Sequence, residues 1–258
     1  MRLSVLLALV SLNAVAQTAP ERSERGDVRE LRRDAVLEAQ ETAERDRRPA
    51  DQRLLLGVAY TDAESGEERW VTPFEYRVRF NERRTYIKIS GDGYVDSRSE
   101  EGHFTGFTNI NVALTHRLAQ GLRGTLGATL PSGTEVGSQS GRTRVGLSYE
   151  HELWDRWSGL VKAQLVRYEA DPDPGESRVR RQALAQIAYT FDADTLAFAQ
   201  LERFYRPGVV SASVASVGYQ MPIGRTAGGP MVGVVTYSRG LSDGLHDNTI
   251  EFDVCLRF

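Results

Sequence analysis

From Leu54 onward, apolar residues recur at every second position in segments of about ten residues, and no other feature of the chain constrains its fold as much. Phe74, Tyr76, Val78 and Phe80 alternate with Glu75, Arg77 and Arg79. Ile110, Val112 and Leu114 alternate with Asn109, Asn111 and Ala113. Val145, Leu147 and Tyr149 alternate with Arg144, Ser148 and Glu150. Ala185, Ile187, Tyr189 and Phe191 alternate with Gln186 and Thr190. The same pattern closes the sequence: Ile250, Phe252, Val254, Leu256 and Phe258 interleave with Glu251, Asp253, Cys255 and Arg257. A period of two is that of an extended strand with one apolar and one polar face. Segments of about ten residues match a strand that crosses a bilayer at a tilt.

A soluble sandwich alternates as well, so the connections have to decide. "NERR" (Asn81–Arg84), "AQG" (Ala119–Gly121), "WDRW" (Trp154–Trp157) and "DAD" (Asp192–Asp194) are tight. "GDGYVDSRSEEGH" (Gly91–His103), "PSGTEVGSQSGR" (Pro131–Arg142) and "EADPDPGESRVR" (Glu169–Arg180) are long and polar. Short turns at one end and long loops at the other are the pattern of a membrane barrel. "RPG" (Arg206–Gly208) and "PIGRTAGG" (Pro222–Gly229) depart from it. Trp154, Trp157, Phe191 and Phe258 fall at the short-turn end, and Tyr60 and Trp70 near the other, as an interfacial girdle requires. In hydrocarbon every backbone group needs a partner within the protein, so the sheet must close. The reading is an all-β fold: a closed antiparallel transmembrane β-barrel of about twelve strands over residues 53–258.

The amino-terminal part is different. Residues 1–16 have the positive start, short apolar run and Ala14-Val15-Ala16 ending of a cleaved signal peptide, and the run is too short to span a membrane. Residues 17–52 form a charged leader. Within it, residues 21–48 carry Val28, Leu31, Ala35 and Ala39 at helical spacing. The alternatives are an exposed periplasmic helix that docks a partner and a solvated, partly disordered segment.

The chain has one cysteine, so no intrachain disulfide supports it, and its net charge of -3 argues against nucleic acid as a partner. His103, His116, His151 and His246 show no nucleophile partner at catalytic spacing. "GLHD" (Gly244–Asp247) reads as a loop and "DPDPGE" (Asp171–Glu176) as a polar loop without the spacing of a calcium site. No zinc spacing and no phosphate-cradling glycine loop occur, so no catalytic residue, metal or cofactor is expected. What remains is charge on the inward phase. Glu75, Arg77, Arg79, Lys88, Arg123, Arg144, Glu150, Lys162, Glu251 and Asp253 are the candidate lumen-lining and selectivity residues, with Arg117, Glu152, Glu202 and Arg257 on the same phase. Such charges either line a narrow aqueous path or pair across the lumen and plug it.

The alternating ending resembles the carboxy-terminal assembly signal of bacterial outer-membrane proteins, with Phe258 as its aromatic residue. That resemblance implies the bacterial outer membrane as location, with its lipid and the barrel-assembly machinery as partners. "GHFTGFTNINVALTHRL" (Gly102–Leu118) and "GATLPSGT" (Gly127–Thr134) resemble the outer-membrane transporters of the phenol-degradation meta-pathway family. Gly106 and Ile110 match a Ser-Gly-x-Gly-Asp-Ile strand start, in which Thr108 and Asn109 replace the second Gly and the Asp. Leu130, Pro131 and Gly133 match a Leu-Pro-Thr-Gly strand end, with Ser132 for Thr. The resemblance implies passive passage of small solutes, hydrophobic or aromatic ones among them. The readings from other classes are a barrel enzyme acting on lipid or peptide and a closed structural or docking barrel.

Overall fold

A computed structural model of the chain describes residues 29–38, 52–63, 66–80, 84–99, 102–132, 141–169, 177–192, 194–207, 210–226, 229–242 and 247–258. The signal peptide, His246 and the "DPDPGE" stretch lie outside the described residues. Within them a helix, α1 (residues 29–38), precedes the strands. These are β1 (Gln52–Asp62), β2 (Glu68–Val71), β3 (Phe74–Phe80), β4 (Thr85–Gly91), β5 (Tyr94–Ser99), β6 (Gly102–Phe107), β7 (Ile110–Ala119), β8 (Leu122–Leu130), β9 (Arg142–Trp154), β10 (Trp157–Tyr168), β11 (Val179–Thr190), β12 (Leu196–Arg206), β13 (Val210–Thr226), β14 (Gly229–Gly240) and β15 (Asn248–Arg257).

All pairings are antiparallel, and β15 pairs with β1 to close the sheet, with Arg53 opposite Arg257 and Asp62 opposite Asn248. β2 with β3, β4 with β5, and β6 with β7 are each one wall strand interrupted by a short break, so the wall has twelve strands. The breaks fall beside one another: Thr72 N donates to the Tyr94 carbonyl, and Thr108 N donates to the Gly93 carbonyl. Pro73, which has no N–H to give to a ladder, sits in the first of them.

Two loop readings are corrected. Gly91–His103 was expected as a long outer loop, yet most of it is strand: β5 and β6 pair with each other, and β5 with β2, extending the wall outward. Inward Val95 and Ser97 do alternate there, but Ser and Asp mask the period that apolar residues would mark. "PIGRTAGG" is likewise mainly strand, since β13 runs to Thr226 and β14 starts at Gly229.

The outer face is apolar and uncovered. Leu126, Leu130, Leu147, Val217 and Ile250 are all more than half exposed, and Leu114, Val145 and Leu165 nearly so. A contiguous apolar belt of this kind is untenable in water and is what lipid requires. Aromatic side chains edge the belt at the short-turn end, where Trp157 packs at a tilt against Tyr189 (4.9 Å between ring centroids), and Tyr189 meets Phe191 (4.9 Å) and Phe191 meets Tyr219 (6.2 Å) edge-on. At the other end Tyr60 packs on Trp70 at 4.8 Å. The inward phase is polar, and it is buried. What buries it is α1.

Candidate functional site: a helix held inside the barrel

α1 reads Arg-Glu-Leu-Arg-Arg-Asp-Ala-Val-Leu-Glu over residues 29–38. Residues four apart share a helix face, so Glu30, Asp34 and Glu38 form one acidic stripe and Arg29 with Arg33 a basic one. Leu31 and Ala35 form a third, apolar strip, and Val36 and Leu37 continue it around the helix.

The wall answers each stripe. Opposite the acids stand Arg77, Lys88, Arg123, Arg144 and Lys162. Lys88 Nζ lies 2.8 Å from Glu30 and 2.6 Å from Asp34. Arg144 pairs with Glu30, and Arg77 reaches Asp34 at 3.1 Å. Lys162 Nζ lies 2.7 Å from Glu38, which Arg123 also approaches at 3.4 Å. Opposite the arginines stand acids. Arg29 meets Asp92 at 2.9 Å and Glu251 at 3.5 Å. Arg33 meets Asp253 at 2.8 Å and Glu251 at 3.3 Å, and Arg32 lies 3.6 Å from Glu202. Leu31 and Ala35 pack on Leu160 and Leu184. Val36 packs with Ala188, Leu196, Phe198 and Val234, and Leu37 with Leu55, Val232 and Cys255. Gln186 and Gln200 side-chain amides donate to the helix carbonyls of Ala35 and Arg32, at 3.1 and 3.2 Å.

Two wall glycines make room for this arrangement. Gly57 faces Asp253 across the β1–β15 pair, and a Cβ there would collide with the carboxylate that holds Arg33. Gly127 faces Arg144, and a Cβ there would collide with the guanidinium that holds Glu30. Small residues are placed beside the charges that grip the helix.

The charged wall residues named from sequence thus fall into two sets around one object. Arg77, Lys88, Arg123, Arg144, Lys162, Glu251 and Asp253 contact α1 directly. Glu75 and Glu150 stand one step behind, Glu75 2.8 Å from Arg77 and Glu150 3.6 Å from Arg123. Arg79 is half-buried beyond this network, while Arg117 and Glu152 are exposed at the short-turn end. Glu202 and Arg257 are buried inside. Sequence reasoning left out Asp92, which it placed in a loop, and all six charged residues of α1.

The position of α1 is itself a correction. Residues 21–48 were expected as an exposed periplasmic helix or a solvated, partly disordered segment, but the described part of them, residues 29–38, is a helix inside the barrel. Density of charge on a helix ordinarily marks a solvated face. Here the lumen supplies opposite charges at matching heights, and burial becomes affordable. The regular recurrence of acid at positions 30, 34 and 38 was the available signal.

Small cavities lie beside α1. Of the cavities beside the helix, one lined by Arg33, Leu37, Leu55, Glu251 and Asp253 has about 10 Å³, and one lined by Asp34, Lys88, Arg144 and Lys162 about 20 Å³. Such volumes hold roughly one water each. The described histidines do not converge with this site. His103 lies 3.1 Å from Asp96 and His116 bonds Thr85 at 2.8 Å, while His151 stacks beside Tyr149.

No family model matches the chain, and no curated protein matches it. Among solved structures, it is similar to the COG4313 outer membrane channel from Pseudomonas putida F1, with a TM-score of 0.63 and 14% identity over 82% of this chain and 96% of that one. It is similar to the NanC porin, with a TM-score of 0.57 and 10% identity over 80% and 100%, and to the KdgM porin, with 0.51 and 13% over 79% and 99%. At these identities the likeness establishes the fold. The chain shares the closed-barrel fold of these bacterial outer-membrane proteins.

Proposed function

We propose that this barrel is an outer-membrane channel for small solutes, closed by its own helix. The observation that carries the reading is the double charge match between α1 and the wall. A barrel whose only task was to be solid could fill its interior with wall side chains alone. This one is filled by a separate, amphipathic segment that is bonded to the wall by ion pairs and joined to β1 by a connecting stretch. Barrels that it resembles in shape are named as a channel and as porins.

Withdrawal of α1 would leave a lumen with three sides: basic along Arg77, Lys88, Arg123, Arg144 and Lys162, acidic along Glu251 and Asp253, and apolar along Leu160, Leu184, Leu196, Phe198 and Val234. Charged walls favour solutes of opposite sign. The apolar side suits solutes with a hydrophobic or aromatic face, in keeping with the resemblance to phenol-pathway transporters at Gly102–Leu118.

The test is conductance in planar bilayers of the wild-type barrel and of a chain lacking residues 29–38. The deletion should give steady channels and the wild type rare ones. Liposome uptake of a small aromatic compound should follow the same order. A deletion variant that folds, judged by its heat-modifiable gel mobility, and stays silent would favour a closed structural barrel instead.

A further inference from the structure

The lipid-facing surface of the barrel is not uniform at its outer rim. On β10, β11, β12 and β14 the outward phase carries an arginine at or near its outer end: Arg167, Arg181, Arg203 and Arg239. Their register puts them in one row. Arg181 is paired with Leu165 and with Tyr205, so Arg167 and Arg203 are its diagonal neighbours on either side. Arg203 is paired with Ser213 on β13, whose neighbour Ala215 is paired with Arg239. Diagonal neighbours across an antiparallel pair are ~7–8 Å apart, within joint reach of long side chains. Arg167, Arg181 and Arg239 are exposed and Arg203 half-buried. Among the described residues, Arg167, Arg181 and Arg239 take part in no ion pair.

The height of the row is set by the aromatic girdle at the opposite rim. Tyr189 in that girdle and Arg181 in the row are eight residues apart on β11. At a rise of ~3.4 Å and a tilt of 35–45°, this is about 21 Å along the barrel axis, close to the ~25 Å of an outer-membrane apolar band. The residues between them on the lipid face are Ala183, Ala185 and Ile187. The arginines therefore stand where hydrocarbon gives way to headgroups. An arginine on the lipid face is costly at the bilayer centre and nearly free at the interface. The other side of the rim is built differently. There Tyr60 and Trp70, and Tyr94 and Phe107, form aromatic pairs, and the charges are mixed: Asp62, Glu68 and Asp96 with Arg98 and His103.

We propose that the row Arg167, Arg181, Arg203 and Arg239 is a binding site for the phosphate groups of a phosphorylated glycolipid in the outer leaflet. Guanidinium groups match phosphate oxygens in geometry as well as charge. A row of four basic side chains at the interface is the pattern that anionic headgroups select. Glu202 beside Arg203 faces the lumen, so Glu169, exposed and two residues beyond Arg167, is the nearest acid along the strands on the same face. It can neutralise at most one member of the row.

The full-length barrel, reconstituted in phosphatidylcholine vesicles with diphosphoryl lipid A or with lipid A stripped of its phosphates, is re-extracted, and its bound lipid is measured by mass spectrometry. Wild type should retain the phosphorylated form and not the stripped one. Retention should fall about five-fold for each arginine replaced, and about 100-fold in Arg167→Gln/Arg181→Gln/Arg239→Gln. Arg98→Gln on the other side should retain as wild type does. Should the triple variant fail to insert, Arg181→Gln alone, at the centre of the row, must show the five-fold loss. Equal retention in wild type and variants, or equal retention of the stripped lipid, would overturn the proposal. So would full displacement by inorganic phosphate at millimolar concentration, which would assign the row to free phosphate.

Discussion

Lys88 on the barrel wall holds Asp34 on the lumen helix at 2.6 Å, across fifty-four residues of sequence. The same ammonium reaches Glu30 at 2.8 Å, and Asp34 is shared with Arg77 and Lys162. Lys88 is 2% exposed and the Asp34 side chain 15%, so the pair is screened little by solvent. Removing one member of a buried pair strands the other and costs about 3–5 kcal/mol. Asp34→Lys should therefore shift the closed-to-open ratio of the helix by a factor of at least about 100. In bilayers this variant should conduct steadily where wild type opens rarely. Lys88→Asp added to Asp34→Lys should restore part of the closure. Silence of Asp34→Lys, with the barrel shown to be folded, would mean that the lock is elsewhere.

Leu37 and Cys255 offer a second handle on the same motion. They share a buried cluster with Leu55 and Val232, with Leu37 on the helix and Cys255 on β15. Leu37→Cys in the Asp34→Lys background places two thiols face to face in a chain that has only one natural cysteine. Oxidation should silence the conducting variant and reductant should reopen it. A disulfide present by mass, together with unchanged conductance, would show that ions bypass the helix.

The barrel was legible from sequence because its lipid face is written in one alphabet. Leu126, Val145, Leu165 and Ile250 keep the period of two through the middle of their strands, so the closed sheet and the pairing of its last strand with its first follow from the pattern. On the inward phase the sequence marks charges such as Lys88, Arg144 and Asp253, and these lie inside the barrel, Lys88 and Asp253 buried and Arg144 partly so. Their partner was not legible. A buried charge and a solvated one look the same in sequence, and Glu30 or Arg33 gains meaning only when a wall 114 or 220 residues away supplies the counter-charge. Asp92 was hidden for a related reason, since glycines and short polar residues around it read as loop. Gly57 and Gly127 could not be singled out at all, because their role is the space they leave for a neighbour on the next strand.

The two faces of a single strand should respond differently to charge. Leu126 on β8 is 61% exposed and lies between Leu114 and Val145 on the neighbouring strands. It is at the middle of its strand, so Leu126→Arg puts a cation near the bilayer midplane and should destabilise the barrel by about 2–4 kcal/mol. Thr125, next in sequence, faces inward and bonds Thr115 at 2.9 Å. Thr125→Val loses that one bond and should cost about 1 kcal/mol. Urea titration of both variants in lipid vesicles measures the difference, and equal losses would contradict the assignment of the faces.

Phe258 stands where the barrel is closed. Its N–H donates to the Gln52 carbonyl at 3.1 Å, and Gln52 N donates back to its carbonyl at 3.5 Å, so the residue extends the β1–β15 ladder by one step. Its ring is 55% exposed on the lipid face, at the same end as Trp154, which is 69% exposed, and Trp157. An aromatic ring is favoured in this interfacial zone and a carboxylate is not. Phe258→Asp should therefore weaken the seam at the strand pair that completes the barrel. The expected result is loss of the heat-resistant, fast-migrating form on gels and accumulation of degradation products in the periplasm. Phe258→Tyr keeps the ring and should assemble normally. If Phe258→Asp reaches the outer membrane at wild-type levels, the ring is dispensable and closure rests on the ladder of β1 and β15 alone.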